Sequence, residues 1–382
     1  MSRDRKNLLN RLQILKEAGI SAASGKSTDQ SRKISSHFLS GWEKIGEYTF
    51  KKETVRDKIL PEKIRCPFLF PSPVDRRNCI FFDTETTGLS GGAGTRFFLI
   101  GFGIPAQNNF CIRQYFLSDF PGEEEFLKTI RHEFSESKIF VSYNGKGFDS
   151  HLIRSRYALT GEPLCFPAQK DLLHTARRLW KSIIGSCSLS SVEEKILKIE
   201  RPDDIPGYLI PDAYFRFLKT GETDEISGIF KHNETDIYSL TLLINVFEEY
   251  AEKPLTAESD KTQLGLLLLS SGRNDEGRKL LVKAFDDGSE KAGIMLGLFY
   301  KRAKKYSDAE KIWAALFKKM NNIAAGIELA KYYEHIVRNR KQAFRIVEEC
   351  IKITADLAAE KRKRYIEKDL LKRRLRLENY LH

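Results

Sequence analysis

The chain has 382 residues, 41% of them hydrophobic, with 64 Lys and Arg against 52 Asp and Glu, a net charge of +12. That length suggests two or three domains with a substantial core, and the basic surplus suits a polyanionic partner without specifying a fold. No apolar run reaches membrane-spanning length (Leu264–Leu269 is too short). The Arg/Lys-rich N-terminus lacks an apolar signal core. The six cysteines at 66, 79, 111, 165, 187 and 350 contain no Cys-x-x-Cys, which argues against a zinc site or a disulfide framework. These features lead us to expect a reduced, cytoplasmic protein with no membrane contact.

Residues 1–75 form a polar, basic extension. One helical pattern places Leu8, Leu12 and Leu15 on a common face, and a Ser-rich stretch occupies 21–36. A small strand is expected around Tyr48-Thr49-Phe50, and Pro61 to Pro73 suggests an extended linker. Two phosphate-loop look-alikes fail. Between Gly19 and Gly25-Lys26-Ser27 stand five residues where the loop needs four, and Gly145-Lys146-Gly147 has no Ser or Thr after it. ATP hydrolysis is therefore not expected.

Residues 76–252 alternate apolar runs and helical patterns. Strands are expected at 79–84, 97–104, 110–117, 138–142 and 168–172, with helices at 122–134 and 149–159 and more helix up to 250. That order suits a mixed five-stranded sheet with flanking helices. At the end of the first run, Asp83 and Glu85 stand two apart, so in a strand they share a face. Paired carboxylates of this kind suit hard cations such as Mg²⁺ or Mn²⁺. A bare Asp-x-Glu is weak by itself; it gains weight from its company. Asp149 opens a helical pattern, where it would also serve as an ordinary N-cap. His232 and Asp236 are four apart on a helix and share its face. Between the first two strands, Gly88, Gly91, Gly92 and Gly94 could admit a nucleic-acid backbone closely or simply make a long hairpin turn.

With these residues in order, the chain resembles the four-acid (DEDD) exonuclease superfamily on the ribonuclease-H-like fold. Asp83-Thr84-Glu85-Thr86-Thr87-Gly88 has the form common in DnaQ-like proofreading exonucleases. The phrases Tyr143–Asp149, Asp171–Trp180, Cys187–Glu193 and Asp204–Pro211 are similar to those of YprB-type ribonuclease-H-like proteins. The resemblance implies two divalent cations, Mg²⁺ or Mn²⁺, and 3′→5′ hydrolysis of DNA or RNA from a single-stranded 3′ end. It implies that Asp83 bridges both ions, that Glu85 and Asp236 complete one site and Asp149 the other, and that His232 is the general base. One feature departs from the family pattern: His232 precedes Asp236 by the spacing of tyrosine-type members, with three residues between them.

Residues 258–382 are helical and repetitive. Leu264, Leu296 and Leu329 recur at offsets of 32 and 33, and small residues recur at Gly277, Ala309 and Ala343. The pattern resembles tetratricopeptide repeats and suggests a protein-docking array; an ordinary helical bundle is the alternative. Arg338–Lys341 and Lys361–Arg376 are dense in cations, as solvated helix faces usually are and nucleic-acid contacts sometimes are. Three function classes stay open: the exonuclease, a scaffold or nucleic-acid-binding protein acting through the repeats, and a structure-selective endonuclease on the same fold.

Overall fold

The computed structural model describes residues 40–57, 60–88, 94–355 and 360–380, with the backbone alone for 360–365. The N-terminal helical pattern, the Ser-rich stretch, Gly91 and Gly92 lie outside the described residues. Among the described residues no helix is long and apolar enough to cross a membrane. All six cysteines are free thiols.

The main sheet is mixed. The expected five strands are β5 (Cys79–Thr86), β6 (Phe97–Pro105), β7 (Asn109–Leu117), β8 (Ile139–Ser142) and β9 (Ala168–Asp171). β5, β6 and β7 pair antiparallel, whereas β8 and β9 continue beside β5 in parallel. The expectation of five strands needs correction, because two from the N-terminal extension join them. β2 (Thr49–Asp57) pairs along all of β7, and β1 (Glu43–Lys44) pairs with β2, giving seven strands in the order β1-β2-β7-β6-β5-β8-β9. The gain is physical: β7 would otherwise present a nine-residue open edge.

The chain divides into two compact units. The first takes the described residues up to Ile64, then Pro73–His174 and Ser188–Asn245; the second takes Arg65–Ser72, Thr175–Cys187 and Val246 onward. The segments expected at 1–75, 76–252 and 258–382 thus interleave. The stretch from Pro61 to Pro73 is no extended linker: β3 (Lys63–Ile64) pairs with β4 (Val74–Asp75), and Cys66, Leu69 and Phe70 are buried. Apolar residues placed every few positions are drawn out of water.

Within the first unit, β5 is the strand that matters. Its Phe82 and Thr84 point to one face, while Phe81, Asp83 and Glu85 point to the other. Asp83 lies opposite Gly101 of β6, and Phe81 opposite Gly103. A Cβ at Gly101 would collide with Asn233 and Ile237, and one at Gly103 would meet Ile237 Cγ2 at 2.6 Å. The two glycines therefore let a long helix, Asp224–Glu252, lie directly on the Asp83 face. The apolar core includes Phe82, Phe98, Phe116 and Phe140, with Phe98 stacked on Tyr214 at 3.8 Å.

In the second unit, helices succeed one another as α-hairpin pairs: Lys261–Ser270 with Asn274–Asp286, Glu290–Arg302 with Tyr306–Met320, and Ile323–His335 with Arg340–Ala355. A last helix covers Glu360–Glu378. The recurring leucines Leu264, Leu296 and Leu329 are all buried, as are Ala309 and Ala343. Gly265 and Gly277 face each other so closely that a Cβ on Gly277 would lie 2.7 Å from the Gly265 carbonyl oxygen. Part of the basic C-terminal run is structural: Arg373 and Arg376 both bind the buried Glu334 carboxylate, at 2.7 Å.

Candidate active site

Three elements place the four acids: one strand and two helices. Asp83 and Glu85 come from the last turns of the pleat in β5, whose register with β6 shifts between Glu85 and Thr86. Such a bulge ends regular pairing and re-aims the strand. Asp83 is held from the helix side: Asn233 Nδ2 donates to its Oδ2 at 3.0 Å and to its backbone oxygen at 3.2 Å. Asn233 is itself fully buried, and its Oδ1 accepts from Gln114 Nε2 at 3.0 Å.

Asp149 is the first residue of the helix Asp149–Leu159, and Phe148 occupies the capping position. The ordinary N-cap role is therefore ruled out. Its carboxylate instead accepts from the Thr84 hydroxyl of β5. The loop that delivers it is tightly specified. Asn144 adopts φ 64°, a left-handed conformation that Asn tolerates. A Cβ on Gly145 would lie 2.7 Å from Ser142 Oγ and 3.0 Å from Asp149 Oδ2. Asp171, at the end of β9, pins the loop by accepting from Asn144 N at 2.9 Å and Lys146 N at 3.1 Å.

His232 and Asp236 do share one helix face: Nε2 lies 3.7 Å from Asp236 Oδ2 and 3.9 Å from Glu85 Oε1. The other ring nitrogen, Nδ1, lies 2.9 and 3.0 Å from the two Asp204 carboxylate oxygens. A carboxylate only accepts, so the contact with Asp204 puts a proton on Nδ1, and Nε2 faces the acids. Arg201 closes this side. Its Nη2 donates to Asp236 Oδ1 at 2.6 Å and also to Glu193, and its Nη1 reaches Asp204 Oδ2 at 3.2 Å.

The electrostatics follow from burial and like charge. Burial, then the charges of Asp236 and Asp149, pushes Asp83 well above the usual carboxylate range, against the opposing Asn233 bond. Burial, then Asp83, Asp236 and Asp149, does the same to Glu85. Burial raises Asp149 to about 6, although the Thr84 hydroxyl opposes it. Burial alone would lower Arg201, but Asp236 and Glu193 outweigh it and raise it. The structure therefore gathers Asp83, Glu85, Asp149 and Asp236 into one under-compensated anionic neighbourhood. Every donor in it is a hard oxygen, the type that suits Mg²⁺ or Mn²⁺. Among the described residues, no group of three or more His, Cys, Asp or Glu side chains is already drawn together at metal-holding distance. The residues fit a divalent cation chemically and would have to close on it.

Four participants escaped the sequence reasoning. Asn233 stands between His232 and Asp236, where a polar residue four before Ile237 on a buried face could have marked it. Asp204 opens a quoted phrase, and Glu193 closes another. Arg201 lies in an aperiodic loop and had no local signal.

A family model described as RNase_H superfamily matches residues 80–247. Over 300 residues the chain is 34% identical to "Uncharacterized protein YprB" of Bacillus subtilis (strain 168), spanning 74% of this chain and 71% of that protein. The chain thus carries a ribonuclease H superfamily domain and belongs to the family of YprB.

Proposed function

We propose that the protein is a divalent-cation-dependent nuclease that removes nucleotides from the 3′ end of single-stranded DNA or RNA. The observation that carries this is the meeting of Asp83 and Glu85 from one strand with Asp149 and Asp236 from two helices, with carboxyl groups that repel one another and lack sufficient counter-charge. A solvated strand end would not concentrate such cost. Asp83, Glu85 and Asp236 would hold one cation, and Asp83 with Asp149 a second. When bound, the pair would supply Lewis-acid stabilisation of charge on the scissile phosphate.

The protein's own groups do the rest. Asn233 fixes the Asp83 carboxylate. Asp204 orients His232 so that Nε2 accepts a proton from the attacking water, a role suited to imidazole near neutral pH. Arg201 holds Asp236 in place. The paired helices of the second unit, at a period near that of tetratricopeptide repeats, would dock a protein partner.

One observation favours a catalytically weak, scaffold-like alternative: Arg201 already neutralises Asp236. The two are separated by incubating the protein with 5′- and 3′-labelled single-stranded DNA and RNA in Mg²⁺ or Mn²⁺. The nuclease proposal expects 3′-end trimming that EDTA abolishes. No cleavage of any substrate with either metal overturns it, and internal cuts on branched substrates would point to the endonuclease instead.

A further inference from the structure

The helix Leu172–Ile184 carries three cations that the nuclease mechanism leaves unused. Arg177, Arg178 and Lys181 line a shallow, open depression of about 360 Å³ with Ser182, Asp260 and Gln263. All three are exposed. Among the described residues they carry no ion pair or side-chain hydrogen bond, unlike Arg96, Arg113, Arg156, Arg201, Arg216 and Arg373, each of which binds a carboxylate.

The one acid in the depression does not serve them. Asp260 is the N-cap of the next helix: its Oδ1 accepts from Gln263 N at 3.0 Å, and its Oδ2 accepts from Ser182 Oγ at 2.9 Å. Lys181 sits four residues after Arg177 and three after Arg178, so the cations repel one another along one side of the helix. An ordinary solvated face relieves such repulsion with interspersed acids. This one keeps the repulsion and adds a concave wall with hydroxyl and amide groups.

We propose that Arg177, Arg178 and Lys181 form a phosphate-backbone site that anchors single-stranded nucleic acid. Arg offers two parallel N–H groups to one phosphate, and Lys offers a point charge to the next. The side-chain amide of Gln263 can add neutral hydrogen bonds to sugar or phosphate oxygen. The site carries no base-reading geometry, so its affinity is independent of sequence. Its substrate class rests on the proposed nuclease function, but its binding does not need the catalytic acids.

The test is fluorescence anisotropy with labelled dT20 and rU20 in EDTA, on the full chain, from low to moderate salt. The variant is Arg177→Gln, Arg178→Gln, Lys181→Gln. Its control is Arg302→Gln, Lys318→Gln, Lys319→Gln, which removes the same charge from exposed positions of the same unit. The first variant should weaken binding about tenfold or more and make the log–log salt slope shallower by about 2, as three lost phosphate contacts require. The control should change both less. The variant's melting temperature should hold or rise, because repulsion is removed. Equal losses in variant and control would reduce the site to bulk charge and overturn it, as would unchanged binding. Variant unfolding, seen as a lowered melting temperature, would assign the three residues a structural role and overturn it too. Absence of trimming in Mg²⁺ alongside a normal variant effect would sink the nuclease proposal and leave this site standing.

Discussion

The two units use the same local device, a missing side chain, for opposite ends. In the sheet unit, Gly101 makes room for Asn233, a buried amide that holds Asp83, and Gly145 makes room for the Asp149 carboxylate. In the helical unit, Gly277 makes room for the Gly265 backbone, Gly297 for Trp313 and Gly326 for Phe317. The first set brings polar groups together where they cost stability; the second brings helices together where contact adds it. The sheet unit therefore concentrates charge at one place, as functional sites do, while the helical unit spreads small packing gains along its length.

The largest expected effect lies on the polar side. Asp83→Asn or Asp236→Asn should reduce hydrolysis to background, since each removes a charged oxygen ligand. The metal-free melting temperature of Asp83→Asn should hold or rise, because a buried, repelled charge is gone. Labelled-oligonucleotide digestion and calorimetric metal titration read both consequences. Wild-type turnover in either variant would remove the acids from the mechanism.

Next in size is the histidine. His232→Ala should slow turnover roughly 10²–10⁴-fold, the scale of a general base, with metal affinity nearly unchanged. Asp204→Asn should lose activity in the same direction but less, because the ring survives and only its orientation weakens. If His232→Ala costs less than about threefold, water activation needs no protein base.

Most of the sheet unit was legible in the sequence. The five core strands follow from short apolar runs bounded by turns, and the strand spacing of Asp83 and Glu85 and the helix spacing of His232 and Asp236 put each pair on one face. The N-terminal strand runs well past the expected Tyr48-Thr49-Phe50, because Lys51 to Asp57 is polar apart from Val55 and only its pairing with β7 makes it a strand. Arg201 and Asp204 were illegible as a pair because their contacts with Asp236 and His232 span 28 to 35 residues through a loop with no period. In the helical unit the succession of helices was legible, since their contacts are between neighbours in sequence.

A third expectation concerns pH. Asp149 is raised to about 6 in the folded protein, above the ordinary value of about 3.9. The folded state therefore binds the proton more tightly than the unfolded chain. Its stabilising share is complete below about pH 4 and is lost as pH rises to about 6. The metal-free protein should lose about 2–3 kcal/mol of stability over that window from this group alone. Asp149→Asn should flatten that part of the curve. Denaturant melts in EDTA at stepped pH would show it, and a stability that rises from pH 4 to 6 equally in both proteins would contradict it.

The smallest effects test the glycine comparison itself. Gly101→Ala places a methyl group against Asn233 and Ile237, on the helix that covers the acids. Gly277→Ala places one 2.7 Å from the Gly265 carbonyl oxygen, in the helical unit. Both overpack, at a typical cost of about 1–3 kcal/mol. In Gly277→Ala part of that is offset, because Ala favours a helix over Gly by about 1 kcal/mol. Turnover should separate the two: Gly101→Ala shifts the amide that positions Asp83 and lowers kcat, whereas Gly277→Ala lowers stability and leaves kcat on a short oligonucleotide unchanged. Thermal melts and single-turnover digestion of both variants decide the matter. Equal kcat in the two would mean that Asn233 tolerates displacement, and that the room left at Gly101 serves only to seat a helix on a sheet.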